Sequence, residues 1–311
     1  MIKKTLCFSN PAYLSLANGQ LVIKLPEVEK PGNVSEVIKR EAVRTIPIED
    51  IGVVVLDNRQ ITITQGALEA LLKNTAAVIT CDERHMPLGL QLPLEGNTIQ
   101  NERFRNQLDA SLPLKKQLWQ QSVKAKIMNQ YGCLRKNTGE EAKRLYKLAQ
   151  DVKSGDADNC EAQAAVYYWR NIFPENENFV RDKEGSPPNN LLNYGYAILR
   201  AVVARSLVVS GLLPVSGIHH RNRYNAYCLA DDIMEPYRPY VDDLVISVAS
   251  EFGEIPEELT VDLKREMLRI PVLDVKINSN RSPLMVAVGQ TTASLAKCFG
   301  GEVRKISYPE F

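Results

Sequence analysis

With 311 residues, 44% of them hydrophobic and 24% charged, the chain has the composition of an ordinary soluble globular protein and the length for one large or two medium domains. A net charge of +1 removes any whole-chain argument for a nucleic-acid partner. The six cysteines (Cys7, Cys81, Cys133, Cys160, Cys228 and Cys298) form no CxxC pair and no signal peptide is read ahead of them, so reduced core thiols in a cytoplasmic protein are expected, not a disulfide framework or a zinc site.

Residues 1–95 read as a small β-rich domain. Tyr13–Leu16 and Leu21–Leu25 flank Asn18-Gly19, two residues that tolerate positive φ, which predicts a hairpin. Ile51–Leu56 and Ala76–Thr80 are short runs rich in β-branched residues, the pattern of buried strands. Thr64 is placed to cap a short helix over Ala67–Leu72, and Pro87 to Pro93 reads as a last extended segment.

From residue 96 to 311 the period changes to one near 3.6, predicting a larger all-helical domain and an α+β fold class overall. Trp119, Val123, Ile127 and Tyr131 recur every fourth residue and mark the buried face of a long helix. Further helices are predicted over Glu140–Val152, Asn159–Asn171, Leu191–Val209, Tyr224–Glu235, Tyr240–Glu251 and Glu257–Leu268. A last helix is predicted to start with Ser282 as N-cap and Pro283 at its first position, and to end at Gly300-Gly301. The longest apolar stretch, Tyr194–Leu213, is interrupted by Arg200 and Arg205 and suits a buried helix better than a membrane span.

Charge is uneven along this second half. Residues 111–150 hold nine basic residues against two acids, enough for one polyanion-facing surface, although a solvated helical face explains them equally well. Chemistry concentrates in two places. The first is the loop Gly217-Ile218-His219-His220-Arg221-Asn222, followed by Asp231, Asp232 and Glu235 on a predicted helix. Asp232 and Glu235, three residues apart, could aim at one cation, and imidazole with carboxylates suits magnesium or manganese. A plainer reading leaves Asp231 and Asp232 on the outer face of an amphipathic helix. The second is Asp158-Asn159-Cys160-Glu161-Ala162-Gln163-Ala164-Ala165, where Asp158 or Asn159 could cap a helix with Glu161 in its first turn. The small residues after Glu161 would let a backbone or ligand approach.

Taken together and in order, these elements resemble the CRISPR-associated spacer-acquisition integrase/endonuclease family, over nearly the whole chain. The resemblance rests on Glu161 opening a helix of small residues that ends in Tyr167-Tyr168, on Gly217-Ile218-His219-His220, on Asp232-Ile233-Met234-Glu235-Pro236-Tyr237-Arg238, and on Asn193-Tyr194-Gly195-Tyr196 ahead of a long apolar helix. Ala230 to Pro239 and Ser282-Pro283-Leu284-Met285-Val286-Ala287, with the compact length, resemble the type II branch. Ala162 stands where many relatives carry glycine.

The resemblance implies that Glu161, His220 and Glu235 are catalytic and ligate Mg2+ or Mn2+, with Asp232 and His219 secondary. It implies a reaction in which the 3′-hydroxyl of a captured DNA fragment joins the repeat by transesterification, with associated endonuclease activity. Implied partners are double-stranded DNA, a second copy of the chain and a small ferredoxin-like subunit, joined in the type II branch by acquisition factors and an effector nuclease. Lys115, Lys116, Lys124, Arg221, Arg223 and Arg281 are the candidates for contacts to DNA phosphates. Two alternatives stay open at this stage: a metal-dependent, structure-selective endonuclease acting in repair, and a non-catalytic DNA-binding scaffold.

Overall fold

The computed structural model describes residues 3–25, 43–173 and 179–311. The chain divides into two compact units, residues 1–94 and 95–311.

Among the described residues, the first unit contains two four-stranded sheets. One is formed by β1 (Lys4–Phe8), β5 (Ile51–Leu56), β7 (Ala77–Cys81) and β8 (Pro87–Gln91), parallel except for the last pair. The other runs β4 (Val43–Pro47), β3 (Gln20–Lys24), β2 (Tyr13–Ala17), β6 (Thr62–Ile63). The β2–β3 hairpin turns through Asn18 and Gly19 at φ of 50° and 71°, the backbone that the Asn-Gly pair predicts. Helix α1 (Gln65–Lys73) begins at Thr64, whose hydroxyl accepts from the Ala67 amide. Leu14 and Leu21 from one sheet, Ile51, Val54 and Val78 from the other, and Ala67 and Leu71 of α1 share one core.

Among the described residues, the second unit is helical apart from one hairpin and short 3-10 turns. Its helices are α2 (Gln100–Leu108), α3 (Leu112–Thr138), α4 (Lys143–Asp151), α5 (Cys160–Asn171), α6 (Asn189–Val209), α7 (Cys228–Met234), α8 (Arg238–Phe252), α9 (Val261–Met267) and α10 (Leu284–Phe299). Two long helices organise the rest. α3 packs against α4, α5, α8 and a 3-10 turn over Glu235–Tyr237, while α6 packs against α7, α8, α9 and α10. Ser111 caps α3 and Gly139 ends it in the left-handed conformation. Trp119, Val123 and Ile127 are buried along its inner stripe. Among the described residues α6 is the one helix long and apolar enough to cross a membrane, and 67% of its apolar window is buried inside the unit.

Several boundaries differ from the sequence expectation: α4 starts at Lys143 instead of Glu140, and α9 at Val261 instead of Glu257. Residues 224–227 lie in the loop ahead of α7, so that helix is shorter than predicted. Ser282 and Pro283 do not start a helix from Ser282: both belong to strand β10 (Asn280–Pro283), paired with β9 (Asp274–Ile277), and α10 begins only after them. Pairing of Ser282 with Val275 overrides the local Ser-Pro helix signal. The hairpin turns at Asn278 and Ser279, both at positive φ.

A buried carboxyl ties three helices together. Asp242 on α8 accepts hydrogen bonds from Tyr168 of α5 at 2.9 Å and from Tyr196 of α6. Burial pushes its carboxyl up to about 7, and the two tyrosine hydroxyls oppose that only in part. The unfolded chain ionises this group near 3.8, so its contribution to stability declines as pH rises from 3.8 through about 7. Tyr168→Phe removes one donor from this carboxyl and should cost about 1–3 kcal/mol, read as a lower urea midpoint with unchanged slope. An unchanged midpoint would show that the bond carries no stability.

Candidate active site

Four elements of the second unit bring the site together: α3, the start of α5, the loop before α7, and the turn after α7. Glu161 lies in the first turn of α5. Neither Asp158 nor Asn159 caps that helix with its side chain. Asn159 takes a left-handed φ of 55°, and Asp156 reaches over the end instead, its two oxygens accepting from the amides of Cys160 and Glu161 at 2.9 and 3.0 Å. Glu235 sits where α7 passes into the 3-10 turn. Asn129 on α3 holds that turn by donating to the Pro236 carbonyl at 2.7 Å.

Glu161 and Glu235 meet at a single ammonium. Lys126 Nζ lies 2.7 Å from Glu161 Oε1 and 2.6 Å from Glu235 Oε2. On the other oxygen of Glu235, Arg238 Nε lies 2.9 Å away, with its guanidinium 4.5 Å above the Tyr196 ring. Burial alone would push Glu235 up, but Arg238 and Lys126 outweigh it and hold the carboxyl at about 2. Burial likewise works against the charge on Lys126, and Glu235 and Glu161 more than restore it, leaving the ammonium above its ordinary value. Glu235 and Lys126 are therefore both charged at neutral pH.

His220 is held by Asp232. One Asp232 oxygen accepts from the amides of Ile218 and His219, at 2.7 and 3.0 Å. The other accepts from the His220 amide at 3.1 Å and faces His220 Nδ1 at 2.6 Å. Asp232 is fully buried, and Asp231, also buried, pairs with Arg200 and Asn225. Neither acid lies on an outer face. Nor does Asp232 aim at a cation beside Glu235, because four donors already saturate it. Gly217 makes this arrangement possible: a Cβ there would stand 2.5 Å from the His220 carbonyl and 2.8 Å from Asp232 Oδ2. The bond to Asp232 raises the His220 pKa above its ordinary value against the effect of burial, and the negative charges of Glu235 and Glu161 add to the rise.

With Nδ1 committed to Asp232, His220 has Nε2 left for a ligand, the arrangement by which a carboxylate orients a metal-binding imidazole. Two carboxylates and an imidazole form a hard, oxygen-rich donor set suited to Mg2+ or Mn2+. Glu235 Oε2 is buried, and the Lys126 ammonium lies against it at 2.6 Å. A cation already bridges the two glutamates, in the form of Lys126. Among the described residues no three His, Cys, Asp or Glu side chains stand preassembled at metal-binding spacing.

His219 is exposed and stacks on Trp119 with centroids 4.2 Å apart. Arg221 and Arg223 are exposed in the same loop. Lys116 and Lys124 are exposed on α3 and Lys115 is half-buried. Arg281 is exposed and pairs with Asp274 at 2.8 Å. Sequence reasoning missed Lys126 and Arg238 as site residues. Lys126 was hidden among the lysines of α3; Arg238 stood in the Asp-x-Met-Glu-x-x-Arg motif without a role.

Asp232→Ala would leave three loop amides and an imidazole without their acceptor and should cost about 2–5 kcal/mol. The milder Asp232→Asn should lower the His220 pKa in a proton NMR titration, because the raising hydrogen bond and charge are lost. Sign matters here: a raised histidine adds stability below 6.5 that disappears as pH rises through its folded value, and Asp232→Asn should flatten that part of the stability profile. A His220 titration unchanged by Asp232→Asn would contradict the pairing.

Comparison with known proteins agrees in sequence and in fold. The family described as CRISPR associated protein Cas1 matches residues 6–258. A CRISPR-associated endonuclease Cas1 of Neisseria meningitidis serogroup C (strain 8013) is 37% identical over 94% of this chain and 91% of its own length. Among solved structures, a casposase bound to integration product superposes with a TM-score of 0.77 at 20% identity, covering 97% of this chain and 92% of the other. A Cas6-RT-Cas1–Cas2 complex does so at 0.73 and 21% identity, over 98% of this chain and 36% of that one. The chain belongs to the CRISPR-associated Cas1 family.

Proposed function

We propose that this chain is a metal-dependent DNA endonuclease/integrase of CRISPR adaptation, joining the 3′-hydroxyl ends of a captured DNA fragment to the repeat. The observation that carries the reading is the meeting of Glu161 and Glu235, from different helices, on one cationic group, with the imidazole of His220 near enough to feel the charge of both. Membership of a family whose relatives are named endonucleases, and likeness in fold to a casposase described as bound to integration product, support it.

Glu161, His220 and Glu235 would hold a divalent cation, Mg2+ or Mn2+. When bound, that ion supplies Lewis acidity that eases loss of the hydroxyl proton and screens charge gathering at phosphorus. The transesterification exchanges one phosphoester for another: the incoming 3′-oxygen bonds to phosphorus at the edge of the repeat, the 3′-oxygen of the flanking nucleotide leaves, and a proton passes from the first to the second. The chain's own residues prepare that exchange. Arg238 keeps Glu235 ionised while buried, and Asp232 fixes the His220 ring so that Nε2 faces outward. Exposed Lys116, Lys124, Arg221 and Arg223, with Lys115 and Arg281, would take up DNA phosphates without reading sequence.

A second copy of the chain and a small ferredoxin-like subunit are the proposed partners, in line with the Cas1–Cas2 complex among the solved structures. The Neisseria relative and the motif around Glu235 favour the type II branch, where acquisition factors and an effector nuclease would join. The proposed location is the cytoplasm.

A labelled short duplex mixed with a supercoiled, repeat-bearing plasmid tests the reading. Label transferred to the plasmid is expected; nicking without transfer would mean a plain nuclease. Glu161→Ala, His220→Ala and Glu235→Ala should each lower joining by about a hundredfold or more while folding and DNA binding persist. Near-normal joining by all three would refute the assignment, and loss of folding in each would favour a scaffold. Because His220 must be neutral to ligate and its pKa lies above 6.5, joining should begin to fall while the pH is still above 6.5.

A further inference from the structure

Lys126 stands at the centre of the site on the same oxygens that a common cation would need. Its ammonium contacts Glu161 Oε1 at 2.7 Å and Glu235 Oε2 at 2.6 Å, and only 12% of the side chain is exposed. A lysine is seldom enclosed to this degree unless its charge is matched. Here it is: Glu161 and Glu235 bring two negative charges, and Lys126 and Arg238 bring two positive ones. The two cations differ in freedom. Arg238 is fixed against the opposite oxygen of Glu235 and over the Tyr196 ring. Lys126 carries its charge at the end of a flexible four-carbon stem rooted on α3.

We propose that Lys126 is a resident monovalent cation of the site, holding Glu161 and Glu235 together until a divalent ion displaces its ammonium from both oxygens. The inference rests on the reading of Glu161 and Glu235 as metal ligands. Its physical basis is that an ammonium and a divalent ion repel each other at contact distance and cannot occupy one pair of carboxylate oxygens. Two consequences follow. Divalent affinity in the native protein is weakened by the work of breaking two ion pairs. The displaced ammonium keeps its charge and its tether, so a phosphodiester arriving at the site gives it a new anion, and cation and DNA reinforce each other's binding.

Calorimetric titration of Mn2+ into metal-stripped full-length protein tests this without reference to activity. Lys126→Gln should bind Mn2+ about tenfold tighter than the native protein or better, and show a larger Mn2+-induced rise in Tm from a lower starting point. Lys126→Arg, whose planar fork pairs both carboxylates and withdraws less easily, should bind Mn2+ more weakly than the native protein. If the Gln variant does not fold before the ion is added, the Arg variant decides alone. Adding a short duplex should tighten Mn2+ binding in the native protein more than in Lys126→Gln. Equal Mn2+ affinity across the three proteins, or weaker binding by Lys126→Gln, would overturn the role of Lys126 and leave the metal site standing. Absence of Mn2+ binding in all of them would overturn both.

Discussion

Two carboxylates on separate helices cannot share a buried space unless their charge is matched, and the second unit of this protein is arranged around that constraint. Lys126 neutralises the pair from one side and Arg238 from the other. Without them desolvation would drive Glu235 toward protonation; with them, it is held ionised at about 2 although it is buried. The packing follows from this. Long α3 supplies both the lysine and Asn129, which grips the carbonyl just after Glu235. Asp156, not a residue of the helix itself, receives the first amides of α5 and so sets where Glu161 points.

The same logic of spending a buried acid to fix something else recurs twice. Asp232 gathers three successive loop amides and the His220 ring onto one carboxylate, which turns a glycine-containing loop into a rigid mount for an imidazole. Asp242 gathers two tyrosines and joins α5, α6 and α8 behind the site, with Tyr196 also lying beneath Arg238. Neither acid needs to touch a ligand to matter: one sets which imidazole nitrogen faces outward, the other sets the spacing of the helices that carry Glu161 and Arg238.

Much of this was legible wherever the signal is local. Asn18-Gly19 encodes its own turn, Thr64 its own cap, and the Trp119, Val123, Ile127 stripe its own buried face. The family motifs brought Glu161, His220 and Glu235 to notice. What escaped depends on partners far along the chain. Lys126 looks like any lysine of a basic helix until two distant glutamates close on it. The backbone amides that saturate Asp232 leave no mark in sequence, so its spacing from Glu235 suggested a shared cation instead. Ser282-Pro283 has the local character of a helix start, and only pairing with Asp274–Ile277 makes it a strand.

The most direct test of the account is a crystal of the full chain grown with Mn2+ and measured for manganese anomalous scattering. The account predicts one strong peak coordinated by Glu161, Glu235 and His220 Nε2, with Asp232 still on Nδ1 and the Lys126 ammonium withdrawn from both carboxylates. A peak elsewhere, or Lys126 still bridging the two glutamates beside a bound ion, would contradict it.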